Sequence, residues 1–161
     1  MDNSSKYIES IKFGALREVE AVKIFIERGY TVSIPSMSAR YDFIAEKYPA
    51  IIRVQVKSLN LIKARTENKL SHNVWQLNAY STVYGEKHPY SKNDCDVITG
   101  ICLDTGAFAI VPIDEIADGK TSYRLSEHEK NKGKSYLNSY NAIDKAREKV
   151  SEEDFTNTNK E

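Results

Sequence analysis

Apolar residues recur at three- and four-residue steps over about residues 7–28: Ile8, Ile11, Leu16, Val19, Val22, Ile24, Phe25 and Ile26. That spacing predicts an amphipathic α-helix, and Gly29 is the residue type that ends one, because glycine enters the left-handed region without steric cost. Residues 30–34 then alternate and stop at Pro35, which predicts a strand. Two more strands are predicted over 41–45 and 51–57, the second with β-branched residues at alternate positions. From Asn60 to Lys92 no period emerges. Asn, Ser, Lys and Tyr are frequent there, and the segment reads as a long polar loop. Regularity returns in 97–103 and 107–112, two strands around Asp104-Thr105-Gly106, where Asp and Gly suit a tight reversal. A short strand over 122–125 and a helix over 140–150 complete the pattern, and the polar stretch 151–161 is expected to fray. A helix, a run of strands and a late helix predict an α/β or α+β fold with a mixed sheet, in one domain over 1–150.

Composition narrows the class. The chain has 161 residues, 40% of them hydrophobic and 29% charged, which is too apolar for a disordered protein. Lys and Arg number 23, as do Asp and Glu, so a globally basic coat is excluded and any phosphate contact must come from a local cluster. The first residues lack a basic start followed by an apolar run, and the longest apolar stretch is far too short to cross a bilayer. Cys95 and Cys102 make no disulfide framework. A soluble, cytoplasmic protein is expected.

Candidate chemistry concentrates on the third predicted strand. Gln55 and Lys57 are two apart, so their side chains leave the same face, together with Ile51 and Arg53. Asp42 lies on the preceding strand, and a short loop around Tyr48-Pro49 brings the two strands together. Glu18 lies on the first helix between Leu16 and Val19. A carboxylate, an amide oxygen and a backbone carbonyl such as that of Val56 suit a hard cation, Mg²⁺ above all. An ammonium beside them can position or deprotonate a water and neutralise charge on a phosphate. Each residue alone has an ordinary explanation, as the wet face of a half-buried strand or a solvated helix position. Their order and spacing together do not.

Other chemistries lack support. His72, His88 and His128 have no ligand spacing among themselves or with the cysteines, which argues against structural zinc. Ser58 and Ser71 sit in no nucleophile-elbow context, and no glycine-rich phosphate loop precedes a Lys-Ser or Lys-Thr pair. Asp94 and Asp96 precede a strand and read as capping or hydrogen-bonded acids.

The sequence resembles the PD-(D/E)xK nuclease superfamily. Asp42 followed by Gln55-Val56-Lys57 matches its signature with Gln in the Asp/Glu slot, and Gly14-Ala15-Leu16-Arg17-Glu18 matches its first-helix Gly-x-x-x-Glu. Gly29-Tyr30 is similar to the helix exit of many members. Arg40-Tyr41-Asp42, the run from Arg53 to Ser58 and the hairpin from Cys102 to Pro112 resemble the small Gln-x-Lys branch, which includes intron-encoded homing endonucleases. Tyr41 stands where Pro is common, and Gln55 is neutral.

The resemblance implies a restriction-endonuclease-like core, a mixed β-sheet flanked by helices, and Mg²⁺-dependent hydrolysis of DNA leaving 5′-phosphate and 3′-hydroxyl ends. It implies that Asp42, Gln55, the Val56 carbonyl and Glu18 surround the ion and that Lys57 orients the attacking water. Cutting both strands of a duplex then calls for a homodimer or higher homo-oligomer. DNA contacts are expected from Lys63, Arg65 and Lys69 in the locally basic middle segment, where His72, Trp75, Tyr80, Tyr84 and Tyr90 are interleaved. The reading is a sequence-specific, homing-type endonuclease acting on double-stranded DNA. Its alternatives are a Holliday-junction-resolvase-like or repair nuclease, and a non-catalytic DNA-binding module on the same core.

Overall fold

The computed structural model describes residues 3–65, 71–126 and 135–145. Helix α1 (Asn3–Glu27) leads into β1 (Thr31–Ser33), β2 (Phe43–Lys47) and β3 (Ala50–Arg65). Then follow β4 (Ser71–Asn78), β5 (Tyr80–Val83), β6 (Glu86–Pro89), β7 (Val97–Ile101), β8 (Phe108–Pro112), a 3₁₀ turn (Ile113–Glu115) and β9 (Ser122–Leu125). Residues 141–145 are helical, at the start of the helix expected over 140–150. The rest of that segment and the tail 151–161 lie outside the described residues.

The end of α1 follows from its sequence. Gly29 adopts φ 83°, and the two bonds of a Schellman motif form: Gly29 N–H donates to the Ile26 carbonyl at 2.8 Å and Tyr30 N–H to that of Phe25 at 3.0 Å. The Tyr30 and Phe25 rings meet edge-on at 5.6 Å, the apolar contact that accompanies this cap. Phe25 also meets Phe43 of β2 edge-on at 5.4 Å, which docks the C-terminal half of the helix on the sheet.

Strand β3 is the spine. Its first part pairs antiparallel with β2 (Phe43 with Val54 through Lys47 with Ala50) and parallel with β7 (Val54 with Val97 through Ser58 with Ile101). At Leu59 it exchanges β7 for β4, pairing antiparallel from Leu59 with Leu77 to Arg65 with Ser71. Strand β1 adds to β2, β8 to β7 and β9 to β4, which makes a seven-stranded mixed sheet among the described residues. Where the partners change, the backbone of Gly100 runs so close to the hairpin that a Cβ there would lie 2.6 Å from Leu77 Cδ1. Leu59, Leu77, Ile98, Ile110 and Leu125 are buried around this junction.

Two expectations are corrected. The segment 60–92 is not a loop: β3 continues through Arg65, β4 is part of the main sheet, and β5 and β6 form their own hairpin turning at Tyr84-Gly85. The alternation is obscured because one side of β3–β4 is only partly covered. Val74, Trp75 and Leu77 are buried, whereas Leu61 is exposed. Second, the apolar stripe of α1 does not face the core along its whole length. Ala21 and Phe25 are buried, but Ile8, Ile11 and Val19 are more than half exposed. No helix among the described residues is long and apolar enough to cross a membrane.

Candidate active site

The site forms where β2 stops and β3 continues. The ladder makes one bond beyond the strand, from Asp42 N–H to the Val54 carbonyl at 2.8 Å. Beyond it the edge of β3 at Val56 has no backbone partner from β2. The Asp42 side chain takes over as acceptor: Val56 N–H donates to Oδ2 at 2.6 Å. Gln55 Nε2 donates to the same oxygen at 2.6 Å and to the Val56 carbonyl at 3.2 Å. Gln55 is a buried polar residue, 5% exposed, and these bonds satisfy its amide N–H₂ group.

The surrounding charges oppose one another. Burial raises the Asp42 carboxyl above its ordinary value, against the pull of the Val56 N–H and Lys57. Glu18 on α1 is raised by partial burial and then by the charge of Asp42. Lys57 is lowered by burial, with Asp42 and Glu18 acting to restore it and Arg40 adding to the fall. Two carboxyls and one ammonium thus share a partly desolvated space in which each charged form is disfavoured by burial.

The structure therefore brings Asp42, Gln55 and Val56 into direct contact and places Glu18 and Lys57 within electrostatic reach of them. Arg53, on the same strand face, turns away. It grips Asp96 at 2.8 Å and the carbonyls of Lys92 and Asn93 at 2.8 and 2.9 Å. Asp94 and Asp96 are hydrogen-bonded acids, as their sequence context implies: Asp94 accepts from Ser91 N–H at 2.9 Å and from Arg40 Nε at 2.9 Å. Sequence reasoning misses two residues that border the site. Arg40 enters it only as part of Arg40-Tyr41-Asp42. Tyr90 reads as one aromatic of a DNA-facing loop, yet it is buried against Arg40 and Lys57.

The donor set fits a hard cation. Asp42 Oδ2 and the Val56 carbonyl are bridged by one amide N–H₂ group, a partially positive group spanning two oxygen ligands. The terminal torsion of Gln is broad and two-fold, so a half-turn presents Oε1 to the same place. Among the described residues no three His, Cys, Asp or Glu side chains gather as a metal cluster. A cation here would instead be held by the two acids and neutral oxygens.

Of the residues expected to contact DNA, Lys63 is exposed near the end of β3, and Arg65 pairs through its backbone with Ser71. Lys69 lies outside the described residues. Trp75 is core, 9% exposed, and Tyr84 is fully exposed at the β5–β6 turn.

The α/β fold brings a carboxylate, an amide and a lysine to one sheet edge, a set that suits phosphodiester chemistry. The family model of PD-(D/E)XK endonucleases matches residues 8–143. The chain belongs to this family and is a DNA endonuclease. The solved structure of a bacterial homing endonuclease, I-Ssp6803I, has the same fold, with a TM-score of 0.63 over 86% of this chain and 93% of that one at 19% identity. No curated protein matches the sequence.

Proposed function

We propose that this endonuclease is Mg²⁺-dependent and cuts both strands of a specific duplex sequence as a homo-oligomer, in the manner of a homing enzyme. The observation that carries the reading is the Asp42–Gln55–Val56 cradle beside Lys57, at the root of a long hairpin with Lys63 near its end. Asp42, Gln55, the Val56 carbonyl and Glu18 would hold the cation, which when bound supplies Lewis-acid stabilisation of charge on the phosphate. Lys57 orients the attacking water and faces the developing negative charge. A P–O bond forms to the water oxygen, whose proton passes to solvent, the P–O3′ bond breaks, the departing O3′ takes up a proton, and 5′-phosphate and 3′-hydroxyl ends result. Lys63, Arg65 and Lys69 contact phosphates and base edges.

One such site serves one strand, so two chains are required for a duplex. Helix α1 offers a surface for the second. Ile8, Ile11, Ala15, Val19 and Val22 form one stripe whose spacing is symmetric about Ala15, Val22 being also packed in part against the core. Antiparallel pairing with another copy sets Ile8 against Val22 and Ile11 against Val19.

Cleavage-site selection from a random linear duplex pool in Mg²⁺ tests the proposal. One long preferred sequence with partial two-fold symmetry is expected. Four-way junctions cut far better than any linear duplex, with no sequence recovered, would establish a resolvase instead.

A further inference from the structure

Lys57 is held in an unusual way for a residue at the centre of the chemistry. Among the described residues its Nζ has no hydrogen-bond or ion-pair partner. What it has is the ring of Tyr90, whose centroid lies 5.0 Å away. Tyr90 is 8% exposed, and its backbone N–H is pinned to the Ala79 carbonyl at 3.0 Å where β6 returns to the body. The guanidinium of Arg40 lies over the same ring at 4.7 Å. Arg40 is fixed in turn by Asp94 (Nε to Oδ1, 2.9 Å), by Ser81 Oγ at 2.7 Å and by the Pro89 carbonyl at 3.4 Å.

We propose that Tyr90 is a positioning residue for Lys57, its ring being the seat that keeps the ammonium beside Asp42 and Gln55, with Arg40 and Asp94 keeping the ring in place. This rests on the reading of Lys57 as the water-orienting lysine. The chemistry favours a ring over an acid in this role. A carboxylate partner would occupy N–H donors and cancel the charge. An aromatic face attracts the cation through its quadrupole and leaves all three donors free for a water and a phosphate oxygen. The second cation on the ring is offset by Asp94, so the ring does not carry two unpaired charges. The ring face, not the hydroxyl, is the operative part, and Tyr90 acts through Lys57 without touching the reacting atoms.

The test is single-turnover cleavage in Mg²⁺ of a plasmid carrying the selected site, or of the four-way junction if selection favours that, at a series of protein concentrations. Tyr90→Phe is expected within about twofold of the wild-type maximal rate, because the ring is kept. Tyr90→Leu is expected to lose about tenfold in maximal rate while the half-saturating concentration stays unchanged. In a Lys57→Ala background the Tyr90→Leu change should cost nothing further, which a merely structural role would not produce. If Tyr90→Leu melts below the assay temperature, Tyr90→Met carries the same comparison. Wild-type rate in Tyr90→Leu, or an equal loss in Tyr90→Phe, overturns the proposal. Wild-type rate in Lys57→Ala overturns the assignment of the active site itself, a result distinguishable from both.

Discussion

The two halves of β3 share one strand and differ in what surrounds them. From Ala50 to Ser58 the strand pairs first with β2, as far as Val54, and then with β7, and its polar side chains are drawn into a desolvated corner. From Leu59 to Arg65 it has β4 alone, and Lys63 stands in solvent. A lysine at 57 and a lysine at 63 therefore do different physical work. The first is depressed by burial and held against a ring; the second is an exposed charge, the kind that would attract a polyanion at long range and release counterions on contact. On the proposed reading, burial would separate chemistry from grip along a single strand.

The contrast is sharpest at Asp42. Asp42→Asn should reduce cleavage by at least about a thousandfold, since the anionic ligand is removed while the amide keeps an acceptor for the Val56 N–H. Burial raises this carboxyl, so between its ordinary value of 3.8 and the raised one the folded protein takes up a proton, and the charged form at neutral pH weighs against folding. The metal-free melting temperature of Asp42→Asn should therefore not fall. A clear drop would make Asp42 a structural residue. Gln55→Ala should cost about ten- to a hundredfold in activity, recovered in part by raising Mg²⁺; wild-type turnover would reduce Gln55 to a packing residue.

The outer half of the strand should respond in affinity, with the rate left alone. Neutralising Lys63, Arg65 and Lys69 together should flatten the dependence of log affinity on log salt by about 0.9 for each phosphate no longer neutralised. The cleavage rate on saturating DNA should stay near wild type. An unchanged slope would move the DNA to another face. The smallest effect concerns the bracket joining the catalytic corner to the β5–β6 hairpin. Arg40 foremost, then Ser91, hold the Asp94 carboxyl below its ordinary 3.8. Its stabilisation is complete above that value and disappears as pH falls through the lower folded one. Wild-type protein should lose melting temperature more steeply below about pH 4 than Asp94→Asn does. Parallel curves would show that the ion pair contributes nothing measurable.

The same division explains what can be read from the sequence. Strands β2, β7 and β8 are legible because one or both faces are buried and the apolar residues say so: Phe43 and Ala45, then all of Val97 to Ile101. Asp42, Gln55 and Lys57 are legible as a set because strand period and a short turn bring them together. The hairpin from Leu59 to Asn78 is illegible because Asn60, Lys63, Asn73 and Gln76 meet solvent or each other across the ladder, so polar residues dilute the alternation. The role of Tyr90 is hidden because its partners Arg40 and Lys57 are 50 and 33 positions away, a distance only the fold can close. The stripe on α1 is periodic and genuine, but periodicity reports a helix without naming which surface covers it.

The Gln55 amide has one more consequence. By bridging Asp42 and the Val56 carbonyl with its own N–H₂ group, it acts as a placeholder that satisfies the oxygens of the corner before any ion arrives. Folding then has no need to wait for the metal, unlike small domains that collapse around one. A cation bound here would first have to displace this amide, so occupancy would become a competition whose set point depends on the free concentration of the cation. A Glu at position 55 would repel Asp42 instead of bonding it, leaving the corner open and strained until filled. On the proposed reading, the neutral residue would keep the ion-free protein stable and tie cleavage to the ionic state of its surroundings.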